Sequence, residues 1–324
     1  MAKFKVYYTI ELNEVATHIF ESNDFEVKLC SHNDEETYVK ELAEFQPDAI
    51  MCRTEPITAK MMDTCKNLKV IGKQGAGLDN IDMDHAHAKD ITVVYAPAGN
   101  ANAVAEHAVM LMLMCAKRFT YVDRQFRGGN FLVRMGMEHT YELGGKTLGM
   151  IGCGRISQLA MQKCKYGFGM NVIGYDPYLT QDKIGDLCEL KATAKEVWEQ
   201  ADFVSVHLPV VPSTEHSIGR EQFSWMKPTA SFINCARGAL IKENELVECL
   251  QDGTLFQAGL DVFEHEPIQE SSRALFDLDN VIMTPHMAAT TEQSVLNCCT
   301  SVAYDIVAVC NGQEPQVKAQ KPKF

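Results

Sequence analysis

The chain has 324 residues, enough for two ordinary domains, and its composition of 46% hydrophobic and 23% charged residues is that of a globular protein. Its formal net charge of −13 disfavours nonspecific binding to nucleic acid and adhesion to anionic membranes, because both are polyanionic. The longest apolar stretch, residues 108–116, is about half the length of a membrane span, so we predict no membrane-spanning segment.

The twelve cysteines include no C-x-x-C pair, and most of them lie within hydrophobic patterns. This usage predicts reduced thiols that act as small apolar core residues, as in a cytoplasmic protein. The opening sequence MAKFKVYYTI has no apolar segment typical of a secretion signal, which also favours a cytoplasmic location. Cys298 and Cys299 are adjacent, a poor geometry for a disulfide or a zinc site, and we predict no bound metal.

The first hundred residues alternate between strand-like and helix-like segments. FKVYYTI, DAIMC, LKVIGKQ and ITVVYAP are predicted strands, and helical patterns such as TYVKELAEF lie between them. This alternation predicts a parallel sheet covered on both faces by helices. A long helix over residues 100–118 follows, and because it is apolar almost all round we expect it to be buried or to lie at an interface.

A second alternating run begins after the RGGN sequence at residues 127–130. Its predicted strands are TLGMI, NVIGYD, FVSVHLP, ASFINCA, FQAGLDV and NVIMTPH. The helix ENELVECLQDG is expected to end at Gly253, since glycine is the usual residue after a helix C-terminus. A final helix is predicted over EQSVLNCCTSVAYDIVAVCNG.

The segment TLGMIGCGRISQLA has the pattern of a dinucleotide-binding turn. Gly152 permits a tight turn, and Gly154 lets the backbone approach a pyrophosphate that faces the N–H groups of the next helix. Ser157 occupies the third small position, where glycine is usual, and Asp176 follows at the end of the next strand, where a carboxylate binds an adenosine ribose. A Gly-x-Gly turn alone also fits an ordinary βα connection. Strand, helix and carboxylate together predict NAD, because a carboxylate repels the 2′-phosphate of NADP.

Polar side chains follow three further predicted strands. Arg237 lies in NCARGAL, Asp261 and Glu266 lie in LDVFEHEP, and His286 lies in TPHMAA. Because ligands bind beyond the carboxyl ends of the strands in an open α/β sheet, we expect these groups to face one crevice. An arginine that holds a carboxylate, a histidine that transfers a proton and a carboxylate that orients the histidine are the groups that hydride transfer to a keto acid requires.

Each of these residues also has a structural interpretation when it is taken singly. Arg237 fits a surface ion pair, and His286 fits a structural histidine, but their combination with Glu266 favours catalysis. His85 and His87 have ligand-like spacing, yet in a helix residues two apart point in different directions, so we predict no metal there. His107 is interpreted as a buried structural contact.

Eight segments taken together resemble the NAD-dependent D-isomer-specific 2-hydroxyacid dehydrogenase family. They are GAGLDNID, NAVAEHA, GKTLGMIGCGRI, VIGYDP, VHLP, INCARGALI, GLDVFEHEP and TPHMAA, which occur in the family's order over nearly the whole chain. The resemblance implies an α/β fold of two Rossmann-like or flavodoxin-like domains with parallel sheets. It implies a NAD-binding domain at 100–287 inserted into a discontinuous substrate domain formed by 1–99 and 288–324.

The resemblance also implies a role for individual residues. Arg237 binds the substrate carboxylate and carbonyl, His286 is the acid/base, and Glu266 pairs with His286. Asp261 holds the nicotinamide carboxamide. The remaining cofactor contacts that it implies are Val104, Gly152, Gly154, Arg155, Ile156, Asp176, His207, Pro209, Thr214, Cys235, Ala236, His286 and Ala288. Gly75, Ala76 and Gly77 bind the substrate carboxylate through backbone N–H groups, and Arg53 is a further candidate for substrate binding.

The segment IMCRTEPIT carries the main information on substrate choice. Members that oxidise 3-phosphoglycerate usually have an arginine at the position of Cys52, and here Arg53 stands one residue later, which in a strand is the opposite face. Lys73 either supplies a second positive charge or is a solvated lysine at a strand end. We also expect no added regulatory domain of the kind found in many serine-pathway enzymes. A small 2-keto acid is therefore the predicted substrate, with D-3-phosphoglycerate as the alternative.

A binding protein is the alternative of a different class, because the same fold serves corepressors that sense NAD(H). The complete set of arginine, glutamate and histidine favours an enzyme. The resemblance implies a homodimer formed through the nucleotide-binding domain, and the helix at 100–118 is a candidate contributor.

Overall fold

The computed structural model describes residues 3–320 and divides the chain into two compact units. The first unit comprises the chain up to Asn100 together with the chain from Thr290 onward, and the second comprises Ala101–Ala289. The boundaries predicted from the sequence, after residues 99 and 287, lie one and two residues earlier in the chain.

Twelve strands lie within residues 3–320. In the first unit they are β1 (Phe4–Tyr8), β2 (Phe25–Leu29), β3 (Ala49–Cys52), β4 (Val70–Lys73) and β5 (Thr92–Tyr95). In the second unit they are β6 (Thr147–Ile151), β7 (Asn171–Tyr175), β8 (Glu189–Leu190), β9 (Phe203–Val206), β10 (Ser231–Asn234), β11 (Gln257–Leu260) and β12 (Val281–Met283).

Helices connect the strands in both units. They are α1 (Glu14–Glu21), α2 (Glu35–Phe45), α3 (Ala59–Thr64), α4 (Met83–Ala88), α5 (Ala101–Ala116), α6 (Phe119–Arg127), α7 (Arg155–Gln162), α8 (Gln181–Ile184), α9 (Ala194–Gln200), α10 (Arg220–Ser224), α11 (Glu243–Asp252) and α12 (Glu292–Cys310). Short 3-10 helices occupy Phe131–Gly136, Gly238–Leu240 and Glu270–Asp277, and a π-helical turn occupies Lys163–Gly167. The predicted end of α11 is confirmed, since Gly253 adopts the left-handed conformation with a φ of 81°.

The first unit is built on a five-stranded parallel sheet. Its strand order is β2-β1-β3-β4-β5, the flavodoxin-like order. The helix α12 packs on this sheet where Gly72 of β4 has no side chain: a Cβ there would lie 2.4 Å from Ile306 and 2.7 Å from Val302. The last helix is therefore part of the core of the first unit.

The second unit is built on a seven-stranded parallel sheet. Its order is β12-β11-β10-β9-β6-β7-β8, in which the chain runs outward from β6 in both directions, as in a Rossmann fold. The strand order reverses between β6 and β9, and ligands bind at such a switch point beyond the carboxyl ends of the strands. The predicted α/β class with two parallel sheets is confirmed.

Helix α5 is the central buried helix of the second unit. Ten of its sixteen residues are buried, which confirms that its apolar sequence marks a core element. It packs on β11 at Gly259, where a Cβ would lie 3.0 Å from Leu111. This packing brings the polar side chain of His107 in α5 to the end of the sheet that carries the catalytic candidates.

One helix among residues 3–320, α12, is long and apolar enough to cross a membrane by length and composition. Half of its apolar stretch is buried inside the first unit, as expected for a core helix of a globular domain.

Two strands, β2 and β8, have no counterpart in the sequence prediction. β2 lies at the edge of its sheet and only its Phe25 is buried, although its sequence FEVKL alternates apolar and polar residues as a half-exposed strand does. β8 has two residues, too few to show a strand periodicity.

Candidate active site

The turn between β6 and α7 is shaped by its two glycines. Gly152 has a φ of 85°, and a Cβ there would lie 2.7 Å from the carbonyl oxygen of His207, so only glycine fits between the ends of β6 and β9. Gly154 is the N-cap residue of α7, and a Cβ on it would meet nothing within 4 Å. The glycine thus leaves open space directly in front of the helix N-terminus, where a pyrophosphate fits.

The serine at the third small position has a hydrogen bond that a glycine cannot form. Ser157 is fully buried, and its hydroxyl donates to the carbonyl oxygen of Gly152 at 2.6 Å. The substitution therefore ties the first turn of α7 to the strand end and maintains the close helix–strand packing that the motif requires.

The carboxylate of Asp176 is fixed beside this turn. One of its oxygens accepts the N–H of Cys153 at 2.9 Å, and the other accepts the N–H of Tyr178 at 2.9 Å. Each carboxylate oxygen has a second lone pair, so the group retains acceptors for the hydroxyl groups of a ribose. Open space at Gly154 and an oriented carboxylate at the end of the next strand fit a dinucleotide such as NAD.

The segment that follows β9 contributes two residues, His207 and Thr214, to the site near the switch point. His207 follows β9 directly, and its Nε2 is 2.9 Å from the hydroxyl of Ser205. Burial lowers the pKa of His207 to about 4, so the ring is neutral near pH 7. Thr214 closes the following loop, since its hydroxyl donates to the carbonyl of Pro209 at 2.6 Å and accepts the N–H of Val211 at 2.9 Å.

The other residues predicted to contact the cofactor are also in the second unit. Arg155 and Ile156 form the first turn of α7 and Val104 lies in α5, while Cys235 and Ala236 follow β10 and Ala288 follows β12. Burial raises the pKa of the Cys235 thiol well above its ordinary value, so this group is a neutral filler. Their contacts with a cofactor stay predictions.

The catalytic candidates lie at the carboxyl ends of three neighbouring strands. Asn234 of β10 is paired with Leu260 of β11, and Leu260 is paired with Met283 of β12, so the three strands end level with one another. The segments that carry Arg237, Glu266 and His286 therefore start from the same edge of the sheet.

The position of Arg237 is set by a short turn after β10. The amide of Asn234 donates to the carbonyl of Arg237 at 2.9 Å, and its side-chain oxygen accepts the N–H of Ala236 at 2.9 Å. The next residue, Gly238, lies against the backbone of Phe263, where a Cβ would come within 1.9 Å. This contact holds the turn of Arg237 directly against the DVFEHEP segment.

Glu266 and His286 form the hydrogen-bonded pair that the sequence predicts. The Nδ1 atom of His286 lies 2.5 Å from Oε2 of Glu266, and the second oxygen, Oε1, accepts the N–H of Phe263 at 3.0 Å. About a third of each side chain is exposed, so the pair is accessible to a ligand. An ionised Glu266 requires the proton on Nδ1, which leaves Nε2 for proton exchange.

Asp261 is fully buried and holds the loop that carries His286. Its carboxylate accepts the hydroxyl of Thr284 at 2.6 Å and the N–H groups of Met287 and Ala288, both at 2.9 Å. Burial acts to raise the pKa of Asp261, but the nearby His107 ring and the hydrogen bonds from Thr284, Met287 and Ala288 outweigh that effect and lower it below its ordinary value. Its predicted contact with the nicotinamide carboxamide stays a prediction.

The remaining residues of DVFEHEP have structural contacts. Glu264 pairs with His216 at 2.8 Å, and its N–H donates to the buried Glu243 at 2.9 Å. His265 is exposed. Within residues 3–320 there is no group of three or more histidine, cysteine, aspartate or glutamate side chains placed to hold a metal, and His85 instead contacts Asp63 at 2.9 Å.

The substrate-binding candidates of the first unit follow β3 and β4. Arg53 lies just beyond β3, so the strand-face argument does not apply to it, and its guanidinium donates to Thr290 at 2.8 Å. Lys73 is the last residue of β4 and is buried, with its ammonium donating to the carbonyl of Arg53, so the interpretation as a solvated lysine is wrong. Gly75, with a φ of 142°, begins the loop that continues through Ala76 and Gly77. The roles of this loop stay predictions.

Comparisons with known proteins agree with the family that the motifs indicate. Residues 109–288 match the model of the D-isomer specific 2-hydroxyacid dehydrogenase NAD binding domain. A D-3-phosphoglycerate dehydrogenase of Methanocaldococcus jannaschii is 39% identical over 95% of this chain. The chain spans only 58% of the length of that relative.

Two further relatives match over nearly their whole length. A hydroxypyruvate reductase of Thermotoga maritima is 36% identical, over 91% of this chain and 94% of the relative. The crystal structure of a glyoxylate reductase from Paecilomyes thermophila superposes with a TM-score of 0.88 at 25% identity and covers 100% of both chains. The chain belongs to the D-isomer-specific 2-hydroxyacid dehydrogenase family, and its residues 109–288 match that family's NAD-binding domain.

Proposed function

We propose that this protein is a NAD-dependent D-2-hydroxyacid dehydrogenase that acts on a small 2-keto acid. The reaction consumes one 2-keto acid, one NADH and one proton, yields one D-2-hydroxy acid and one NAD⁺, and is reversible. The observation that carries the proposal is the Glu266–His286 hydrogen bond of 2.5 Å at the strand edge that also carries Arg237. Bound NADH would supply the hydride at this edge.

His286 is the proposed acid/base. Because Glu266 holds Nδ1, the Nε2–H of the charged ring is the proton that passes to the substrate carbonyl oxygen as hydride reaches the carbon. Keto-acid reduction uses the imidazolium form of the ring, in which Nδ1–H donates to Glu266 and Nε2–H is available to the substrate. In the reverse direction the neutral ring takes the hydroxyl proton.

Arg237 is the proposed anchor for the substrate carboxylate. A guanidinium forms two parallel hydrogen bonds with a carboxylate, so it fixes both the position and the orientation of a 2-keto acid. The turn held by Asn234 and the close packing of Gly238 restrict the backbone that carries this side chain.

The experiment that tests this function is NADH oxidation with a panel of 2-keto acids, including glyoxylate, hydroxypyruvate and pyruvate. We expect turnover of at least one of them, and a lower rate with NADPH because Asp176 repels its 2′-phosphate. Tight binding of NADH without turnover of any keto acid would instead support a protein that senses the cofactor.

A second candidate substrate is D-3-phosphoglycerate, since the M. jannaschii relative is a D-3-phosphoglycerate dehydrogenase. The direct comparison is hydroxypyruvate against 3-phosphohydroxypyruvate, which differ only by the phosphate. We expect hydroxypyruvate to have the higher kcat/KM, because Arg53 donates to Thr290 and Lys73 is buried against a carbonyl group. A preference for the phosphorylated acid that disappears in Arg53→Ala would establish the second candidate.

We also propose that the protein is a homodimer formed through the second unit. The predicted contributor, α5, is largely buried within its own unit, and a group of exposed apolar side chains lies just after it. These exposed side chains are Phe119, Phe126, Phe131, Leu132 and Met135, and the last three are 60–76% exposed. Sedimentation of the wild type and of a Phe131→Ser and Leu132→Ser double variant tests the proposal, and a wild-type monomer would refute it.

We further propose a cytoplasmic location. All twelve cysteines are free, and eleven of them are buried, as expected where thiols stay reduced. Fractionation of the producing cells tests this location, and recovery of the protein outside the cytoplasm would refute it.

A further inference from the structure

His107 makes polar contacts that the reaction scheme does not use. It lies on α5, a helix whose other inward residues are apolar, and only 9% of its side chain is exposed. Its Nε2 lies 2.8 Å from the hydroxyl of Thr284 and 3.4 Å from the carboxylate of Asp261, which are 177 and 154 residues later in the chain. A buried imidazole in such a position requires a hydrogen-bonding partner, and these two groups provide it.

The direction of the hydrogen bonds follows from the chemistry of the three groups. An ionised Asp261 only accepts, so the single hydroxyl proton of Thr284 is donated to it over 2.6 Å. The Thr284 oxygen can then only accept from His107, which requires the proton on Nε2 of the imidazole. The result is a chain from His107 through Thr284 to Asp261, and it fixes the tautomer of His107.

The end of this chain holds the loop of residues 284–288 in place. The carboxylate of Asp261 accepts the N–H groups of Met287 and Ala288, while its backbone carbonyl accepts the N–H of His286 at 2.7 Å. His286 has a φ of 49°, a left-handed conformation that a non-glycine residue adopts at a cost and keeps only when its surroundings impose it. These contacts, together with the hydrogen bond from the Thr284 hydroxyl to the Asp261 carboxylate, supply that restraint.

We propose that His107 is a positioning residue, which acts through Thr284 and Asp261 to hold the His286 loop in the conformation that meets Glu266. The inference rests on the proposed function for its effect on rate, while its effect on the loop is independent of the substrate. His107 touches no reacting atom. Its contribution is to orient the Asp261 carboxylate, and thus to keep His286 within 2.5 Å of its partner.

The first test uses three variants at the first two residues of this hydrogen-bonded chain, His107 and Thr284. His107→Leu removes the donor, His107→Gln places an amide N–H near the position of Nε2, and Thr284→Val removes the hydroxyl at nearly constant volume. We expect kcat to fall roughly five- to tenfold in His107→Leu, as for the loss of one buried hydrogen bond, with the KM for NADH within twofold of wild type. His107→Gln should recover most of this loss.

A double-variant cycle tests whether the two residues act as one unit. If His107 acts through Thr284, His107→Leu should lower kcat in the wild-type background but have little further effect in the Thr284→Val background. Independent, additive losses would overturn the proposed chain. His85→Leu, which removes a partly exposed histidine bonded to Asp63 in the first unit, is the matched control and should leave kcat unchanged.

Amide hydrogen exchange gives a readout that does not depend on turnover. In His107→Leu, exchange should accelerate at the amides of His286, Met287 and Ala288, with little change in the strands of the same unit. In His107→Gln the rates should be close to wild type. If His107→Leu fails to fold, Thr284→Val provides the same measurement.

The outcomes separate the inference from the proposed function. Unchanged exchange at residues 286–288 in both His107→Leu and Thr284→Val would overturn the inference, whatever the protein reduces. Suppose that exchange at residues 286–288 accelerates in the variants, but the wild-type protein turns over no keto acid. That result would support the positioning chain and refute the proposed function. Local acceleration together with the kcat loss and its recovery by glutamine would support both.

Discussion

The two halves of the seven-stranded sheet build their sites in different ways. On the β6–β8 side, the site consists of backbone and small residues: the left-handed Gly152, the open space at Gly154 and the buried Ser157. On the β10–β12 side, it consists of charged side chains held by other side chains, as in the Glu266–His286 pair and the carboxylate of Asp261.

The difference separates the binding of the cofactor's phosphate and ribose groups from proton transfer. Phosphate groups can be bound by backbone N–H groups at a helix N-terminus. The first half therefore requires open space for the phosphates and a backbone conformation that directs its N–H groups towards them. Proton transfer requires titratable groups at fixed distances, so the second half requires a network that restrains them. Substitutions in the first half should therefore change cofactor affinity, and substitutions in the second half should change turnover.

The largest expected effect is that of His286→Ala. Loss of the acid/base should lower kcat by about 10²–10⁴-fold, the usual contribution of general acid catalysis. Because His286 is on the β12 side, the Kd for NADH, measured by fluorescence titration, should stay within about threefold of wild type. Unchanged turnover would remove His286 from the mechanism.

Arg237→Lys should have the next largest effect. Lysine keeps the charge but loses the two-pronged geometry, so we expect kcat/KM for the keto acid to fall about 30-fold, equivalent to about 2 kcal/mol. Arg220→Lys, at a partly exposed arginine paired with Asp252 and Glu248, is the matched control and should change kcat/KM less than twofold. Equal effects of the two substitutions would contradict the carboxylate assignment.

Asp176→Ala should act on the cofactor half alone. We expect the Kd for NADH to rise roughly tenfold as one hydrogen-bonded carboxylate is lost, and the preference for NADH over NADPH to narrow. Asp182→Ala, an exposed aspartate in α8, is the control for removal of a charge. If Asp176→Ala changed kcat and left the Kd for NADH unaltered, the assignment of cofactor binding to the first half and of turnover to the second would be contradicted.

The smallest effect should be a change in acid stability in His207→Gln. The folded-state pKa of His207 is about 4 against an ordinary 6.5, so between these values the unfolded chain binds a proton that the folded chain does not. Stability should therefore decline as pH falls from about 6.5 to about 4, with His207 contributing on the order of 1–3 kcal/mol. Urea unfolding at pH 7, 5.5 and 4.5 should show that the free energy of unfolding falls less steeply with pH in the variant than in the wild type. An identical fall in both proteins would exclude His207 as the source of this pH dependence.

The sequence predicted the parts of the molecule that leave local patterns. The glycines of the β6 turn, the strands that precede Arg237, Asp261 and His286, and the burial of α5 all follow from short-range spacing and hydrophobicity. The hydrogen bond between Glu266 and His286 was also predicted, although it rested on the family resemblance and not on geometry.

Contacts between distant segments could not be derived in this way. The link from His107 to Thr284 joins residues 177 positions apart, and it depends on the packing of α5 on β11 at Gly259. The contact of the buried Lys73 with the carbonyl of Arg53 is of the same kind, so the sequence left open whether this lysine is solvated or supplies charge to the site. The presence of a histidine or a lysine in the sequence does not indicate which distant group will be its hydrogen-bonding partner.

The most direct test of the account is the product formed from hydroxypyruvate and NADH by the wild-type protein. The proposed function predicts stoichiometric oxidation of NADH and formation of D-glycerate, identified by chiral chromatography. Formation of L-glycerate, or tight binding of NADH with no turnover of hydroxypyruvate or of any other keto acid in the panel, would contradict it.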